Sequence, residues 1–266
     1  VSETTYTVEK IPVKLLEVDP RVQRDQLKMK KVMEIEKNFN DDAAGVLYIS
    51  RRKDSGLYII DGWHRKEAMF RKNPDYEATC HVFEGLTLAQ EALMFLDLNY
   101  ADKPTQLDKY KVRLAAEDAE SMLIEQITTS RGWKVHPVPA PSHIQAVSAL
   151  YRILLLSEKV HAEPHLLDAT LLVITRAWGN DQHGSQAVIL EGIAAVIAEY
   201  GDKLNLGVLV EKLRDRGGGP RELHTNATAL AATRNGRVVN AVSELVVATY
   251  NRSLRGRGVT PWRKQT

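Results

Sequence analysis

Five consecutive residues carry the chemistry this chain offers most plainly: Asp61, Gly62, Trp63, His64 and Arg65. A carboxylate, a residue without a side chain, an indole, an imidazole and a guanidinium share one turn. Before it, Leu57-Tyr58-Ile59-Ile60 is short, apolar and rich in β-branched and aromatic side chains, which predicts a buried strand. After it, Ala68, Met69 and Lys72 fall at helical spacing from Trp63, so the turn should deliver a strand into a helix N-terminus. Such an end leaves backbone N–H groups unpaired and carries partial positive charge. Gly62 can adopt a backbone conformation that other residues resist. His64 and Arg65 add donors suited to phosphate oxygens. A plain strand-to-helix connection, with Arg65 solvated or paired to Asp61 or Glu67, fits the same residues. The turn is neither a Walker A loop nor a GxGxxG fingerprint, so the residues alone leave both readings open.

The elements that must hold this turn can be read around it. Thr5 to Val8 alternates as an edge strand. Asp25 is placed to cap a helix running to about Phe39, with Leu27, Val32, Ile35 and Phe39 as its buried face. Lys28, Lys30 and Lys31 on that helix read as a solvated face or as donors to phosphate. Val46 to Ser50 is a strand, joined by Lys53-Asp54-Ser55-Gly56 to the strand that precedes the signature turn. Ala78 to Phe83 is a further strand. From Thr87 the pattern turns helical: Leu88 to Tyr100, then Thr105 to about Thr129, with Pro104 at a helix start. Pro137, Pro139 and Pro141 cannot continue a helix and read as a stiff connector. Helices are expected at Ser142 to Val160, Leu166 to Trp178, Gln186 to Tyr200, Leu206 to Asp215, Leu223 to Ala232 and Val238 to Leu254. Gly217-Gly218-Gly219-Pro220 should form a mobile loop. The expected class is α+β. It comprises a small mixed α/β domain over 1–130, a proline-rich linker over 131–141, an all-α domain over 142–252 and a basic tail over 253–266.

With 266 residues and a formal net charge of +2, there is length for two ordinary domains and no global field that demands nucleic acid; any basic surface is local. Cys80 is the only cysteine, which excludes a disulfide framework and a CxxC zinc site and fits a reducing cytoplasm. No apolar run approaches the roughly 20 residues of a membrane helix, and the opening VSETTYTVEK has no signal-peptide character. A valine in first position fits a GTG start codon read literally, hence a bacterial or phage gene.

The run IIDGWHRKEA resembles the nucleotide-binding motif of the ParB/sulfiredoxin superfamily, in its D-G-x-H-R version. ParB proteins have G-E-R-R at this turn and sulfiredoxins G-C-H-R. Three further stretches follow in the family's order. Val22-Gln23-Arg24 resembles the glutamine–arginine element that opens ParB domains. Gly45 to Ile49 resembles the strand after it, without the family's proline. Leu98-Asn99 stands where ParB has E-N-x-x-R. The resemblance covers about the first half of the chain. It implies a nucleotide, CTP or ATP with Mg²⁺, on Arg24, Asp61, Gly62, Trp63, His64, Arg65 and Asn99, with Asn99 helping to place the metal ion. It also implies a DNA partner, a homodimer as an allowed state, and a phage or plasmid origin. Ser142 to Leu154 is similar to ParB's recognition helix, which nominates Ser142, His143, Gln145 and Arg152 for DNA. An ordinary bundle helix fits that stretch as well. In the tail, Arg255 and Arg257 join Arg252, Arg263 and Lys264 as groups that could touch a phosphate backbone; a solubilising or folded-back tail is the alternative.

Other chemistries find less support. His161 and His165 have the spacing of a helical metal pair, but Pro164 lies between them and no third ligand stands near. Trp63 occupies the place of the sulfiredoxin nucleophile, and Cys80 falls inside a strand, so sulfiredoxin activity is not expected. No acidic cluster suits metal-assisted nuclease chemistry. Glu17 and Asp61 are candidate bases for a phosphotransferase or ATPase.

Overall fold

In the computed structural model, residues 6–23, 27–41, 44–99, 105–160, 165–254 and 258–262 are described. The chain is mixed α+β and divides into two compact units, 1–121 and 122–266.

The first unit is built on a five-stranded sheet. Its strands are β1 (Tyr6–Pro12), β2 (Leu16–Glu17), β3 (Leu47–Arg51), β4 (Leu57–Asp61) and β5 (Glu77–Glu84), in the order β1-β5-β3-β4-β2. β3 and β4 form the expected antiparallel hairpin, with Asp54 Oδ1 accepting from the Gly56 N–H at 3.0 Å across its turn. β5 lies parallel to β3, and β1 runs antiparallel along the outer side of β5. Alternation along the strands buries two faces. Ile11, Leu47, Ile49, Ala78, Cys80 and Val82 pack with Met69 of α2 (Trp63–Lys72). Ile60 and Phe83, on the other face, pack with Ala92 and Phe95 of α3 (Leu88–Leu98) and Val112 of α4 (Gln106–Ala115). Burial pushes the Cys80 thiol up to about 11, so at neutral pH it is a small apolar filler, not a nucleophile.

The helix expected from Asp25 to Phe39 is shorter, α1 (Met29–Lys37). The single helix expected from Thr105 to Thr129 is two: α4, and α5 (Ala119–Ser130). Glu117 takes φ +56° between them, and Asp118 Oδ2 accepts from the Ser121 N–H at 3.0 Å to start the second helix. Thr87 caps α3 and Thr105 caps α4, each in a reciprocal capping box.

Among its described residues, the second unit is helical apart from loops and one short strand pair, β6 (Lys134–Val135) and β7 (His143–Ile144), and it takes in most of α5. Its helices are α6 (Val147–Val160), α7 (Leu166–Trp178), α8 (Ala187–Tyr200), α9 (Leu206–Arg216), α10 (Gly219–Thr233) and α11 (Val238–Asn251). α8 is apolar on most sides and sits at the centre, packed by α6, α7 and α11. Residues 131–141 are bound into this unit. Trp133 is buried, and its indole N–H donates to Thr175 Oγ1 at 2.9 Å. Arg131 makes a bidentate pair with Asp168 at 2.7 and 2.6 Å. The glycine run at 217–219 is a tight link, not a long loop: Gly218 adopts φ +68° and Pro220 lies in the first turn of α10. Residues 258–262 fold back onto the helices. Asn251 exchanges two hydrogen bonds of 2.8 Å with Val259, and the Tyr200 hydroxyl donates to Thr260 O at 2.7 Å. No helix among the described residues is long and apolar enough to cross a membrane.

Candidate functional site

The signature turn opens into a cleft of about 650 Å³ in the first unit. β4 ends at Asp61, Gly62 adopts φ +104°, and α2 begins at Trp63. Gly62 has no side chain to cap the helix, and the first helical bond runs from Lys66 N–H to Gly62 O at 2.8 Å. The backbone N–H groups of the first turn therefore stand where an anion would meet them.

Arg65 is held over this turn. Its Nη2 donates to Asp61 Oδ2 at 3.0 Å. Two glycines make room for it: a Cβ on Gly45 would lie 2.6 Å from Arg65 Nη1, and one on Gly62 would lie 3.1 Å from Nη2 and 2.5 Å from Leu47 Cδ2. Asn99, buried at the end of α3, donates from Nδ2 to Asp61 Oδ1 at 3.1 Å and to Phe95 O at 3.0 Å. Asp61 is thus gripped from two sides. The amide nitrogen of Asn99, not its oxygen, faces the carboxylate, so a cation such as Mg²⁺ at this spot would find its oxygen donor in Asp61, with Asn99 holding that carboxylate. His64 Nε2 accepts from the Lys28 N–H at 3.2 Å, which ties the turn to the start of α1.

Asp61, Gly62, Trp63, His64, Arg65 and Asn99 all line this one cleft. Arg24 lies outside the described residues, while its neighbour Gln23 lines the cleft. Sequence reasoning did not nominate Glu34, Asn38, Asn40 or Phe95, which also line it. Lys31, with its two sequence readings of solvated face or phosphate donor, and Ile35 and Phe39, expected on the buried face of the helix, line its wall. The sequence signal of Ile35 and Phe39 is an apolar stripe, which does not distinguish a core from a cleft lining.

A partly buried ionic network joins Arg52, just after β3, to α3 and to the loop before Gln23. Arg52 donates to Glu91 of α3 at 2.8 and 2.5 Å and to Asp19 at 2.8 Å; Arg21 holds the same Asp19 at 3.0 and 2.6 Å. The Arg21 guanidinium, with that of Arg52, keeps the Asp19 carboxyl well below the usual carboxylate range. Glu91, Asp19's partner across Arg52, raises the guanidinium of Arg52 in turn. The backbone N–H groups of Val22 and Gln23 close onto Asp19 O at 3.1 and 3.0 Å.

Of the residues nominated for DNA, Ser142, His143, Gln145 and Arg152 lie in the second unit, and among these only Arg152 is on a helix. Ser142, His143 and Gln145 precede α6, which starts at Val147, and a strand pair stands where the first helix of the motif would be. The stretch that carries prolines 137, 139 and 141 bends back on itself: Ser142 takes φ +65°, and the His143 N–H donates to Ala140 O at 3.1 Å. The Ser142 N–H donates to Asn180 O at 2.8 Å, His143 Nδ1 meets Val138 O at 2.9 Å, and Gln145 Nε2 donates to Pro137 O. Arg152 is on α6 but pairs with Glu191 of α8 at 2.5 Å. Arg255 and Arg257 lie outside the described residues, as does His161. Among the described residues, no three His, Cys, Asp or Glu side chains could hold a metal ion together.

A five-stranded mixed sheet with a strand–turn–helix at the mouth of a cleft, followed by a helical unit, defines an α+β protein. The chain belongs to a family of unknown function (DUF6551), matched over residues 20–259. Comparison with curated proteins finds no match. Among solved structures it is similar to the C-terminally truncated chromosome-partitioning protein ParB from Caulobacter crescentus, crystallised with the centromeric parS site. The two are 16% identical, with a TM-score of 0.34, over 85% of this chain and 99% of that one.

Proposed function

We propose that the first unit binds a nucleoside triphosphate, CTP or ATP with Mg²⁺, and that the protein is a ParB-like, DNA-associated protein using the nucleotide as a conformational ligand. The observation that carries the nucleotide reading is the convergence of Gly62 to Arg65, Asp61 and Asn99 on one cleft at the start of α2. The triphosphate sits at the α2 N-terminus, where Arg65 turns from Asp61 to a phosphate oxygen. Mg²⁺ supplies the counter-ion that Asp61 then needs. Trp63 and Phe39 give the cleft flat apolar walls. His64 links the cradle to α1 through Lys28, so a ligand that moves the imidazole shifts α1 by binding one arrangement better than the other. The DNA part rests on the sequence resemblance of the turn and its flanking elements to ParB.

A second reading, a phosphotransferase or ATPase on the same turn, is favoured by the Asp61 carboxylate facing the cleft. Calorimetric titration with CTP, ATP and GTP plus Mg²⁺, with Arg65→Ala as control, separates the two. Binding lost in the variant, without turnover and with altered DNA retention, supports the switch. Binding with turnover supports the enzyme. No binding of any of the three refutes both and leaves a scaffold for other proteins.

A further inference from the structure

Gln23 is 4% exposed, yet it reaches the cleft wall. Its Nε2 donates to Ile59 O at 2.8 Å and to Ile60 O at 2.7 Å. Both amide protons are therefore committed to β4, and turning the amide over would set an oxygen against two carbonyls. The orientation is fixed by the backbone, and the backbone of Gln23 is fixed in turn by Asp19 and the Arg21–Arg52–Glu91 network. What remains is Oε1. Among the described residues no donor meets it, and it is not among the sealed, unpartnered polar atoms of the interior. A buried, immobile acceptor is thus presented to the cleft.

We infer that Gln23 Oε1 is a specificity contact that accepts a hydrogen bond from a sugar hydroxyl of the bound nucleotide. This rests on the nucleotide reading of the cleft. The chemistry excludes the phosphates themselves, because an acceptor repels a phosphate oxygen. Position selects the sugar: the Gln23 amide is anchored on Ile60, two residues before Gly62, so it stands roughly 7 Å along the strand from the anion cradle. The sugar is the part of a nucleotide joined directly to its phosphates, and its hydroxyls are donors. The rigidity of the amide makes the contact discriminating, since an acceptor that cannot turn away is left unpaired by a ligand lacking the hydroxyl.

The test is calorimetric titration of the whole chain with CTP and ATP, each beside its 2′-deoxy and 2′,3′-dideoxy forms, in Mg²⁺. The dideoxy form of the nucleotide that binds is expected to be about tenfold weaker than the ribose form, the scale of one buried hydrogen bond. In Gln23→Met the two should bind alike. Equal affinity for ribose and dideoxy forms in the wild type overturns the inference while leaving the nucleotide reading standing, and needs no variant to fold. A folded Gln23→Met that keeps the ribose preference overturns it too. Absence of binding by every form overturns the nucleotide reading and the sugar contact together.

Discussion

Gly45 lines no part of the cleft, yet it decides where Arg65 rests. It has φ +71°, and a Cβ there would lie 2.6 Å from Arg65 Nη1. Gly45→Ala therefore has two costs. The first is backbone strain, about 1–2 kcal/mol for a side chain in the left-handed region. The second is displacement of the guanidinium from Asp61. A matched control exists in the same unit: Gly85 has φ +66°, and a Cβ there would meet nothing within 4 Å. Gly85→Ala carries the strain alone. Because the atom pushed aside is the end of a flexible side chain, and the Arg65–Asp61 pair is only partly buried, the extra loss of stability in Gly45→Ala should be about 1 kcal/mol or less. The loss of nucleotide binding should be larger. A charge-assisted contact to phosphate contributes about 1.5–3 kcal/mol, so misplacing Arg65 should weaken binding by about tenfold or more, with Gly85→Ala unchanged. Urea unfolding supplies the first number and calorimetric titration with CTP or ATP and Mg²⁺ the second. If the two variants bind the nucleotide within about twofold of each other, the idea that glycine at 45 exists to seat Arg65 is wrong.

Three further outcomes follow from the packing. Asp19 has a folded-state pKa depressed by Arg21 and Arg52. The unfolded chain therefore takes up the proton first as the pH falls through about 4. The stabilisation is whole above that pH and is lost progressively below it; Asp19→Asn should flatten this acid limb in urea unfolding measured from pH 7 to pH 2. Arg52→Lys keeps the charge but cannot bridge Glu91 and Asp19 together, so amide exchange should quicken at both Val22–Gln23 and the first turn of α3, where Glu91 lies, and exchange unchanged at either place refutes the bridge. Gly192 lets α8 approach α11, where a Cβ would lie 2.4 Å from Val242 Cγ1. Gly192→Ala should destabilise the second unit by about 1–3 kcal/mol of overpacking, read by thermal unfolding.

What the sequence disclosed was what is written locally. The strand–glycine–helix turn at 57–72 is legible because a short apolar, β-branched run gives way to helical spacing at a glycine, the residue that tolerates φ +104°. The caps at Thr87 and Thr105 are legible because a hydroxyl stands three residues before a Gln or Asp. The break between α4 and α5 is not, since Ala115-Ala116-Glu117 has strong helix propensity and nothing in it announces a glutamate at φ +56°. Residues 131–141 misled in the opposite sense. Three prolines read as a spacer, yet Trp133 and Arg131 bind the stretch to α7 through single partners more than 30 residues away.

The cleft shows the same limit in the form that matters for function. Leu27, Val32, Ile35 and Phe39 share one face of the helical pattern, and burial is what that pattern encodes. Only Val32 among them is fully buried; Ile35 and Phe39 remain part-exposed where they line the cleft. Apolar periodicity reports that a face is covered without saying whether protein or ligand covers it. The distinction comes from contacts at long range: His64 on Lys28, Arg71 on Glu36 at 3.0 Å and Lys72 over the Phe39 ring at 4.4 Å. Each joins α2 to α1 or to a residue flanking it. Together they set α1 at a distance from the turn that leaves room for a ligand, which is why a residue read as core can be a wall of the site.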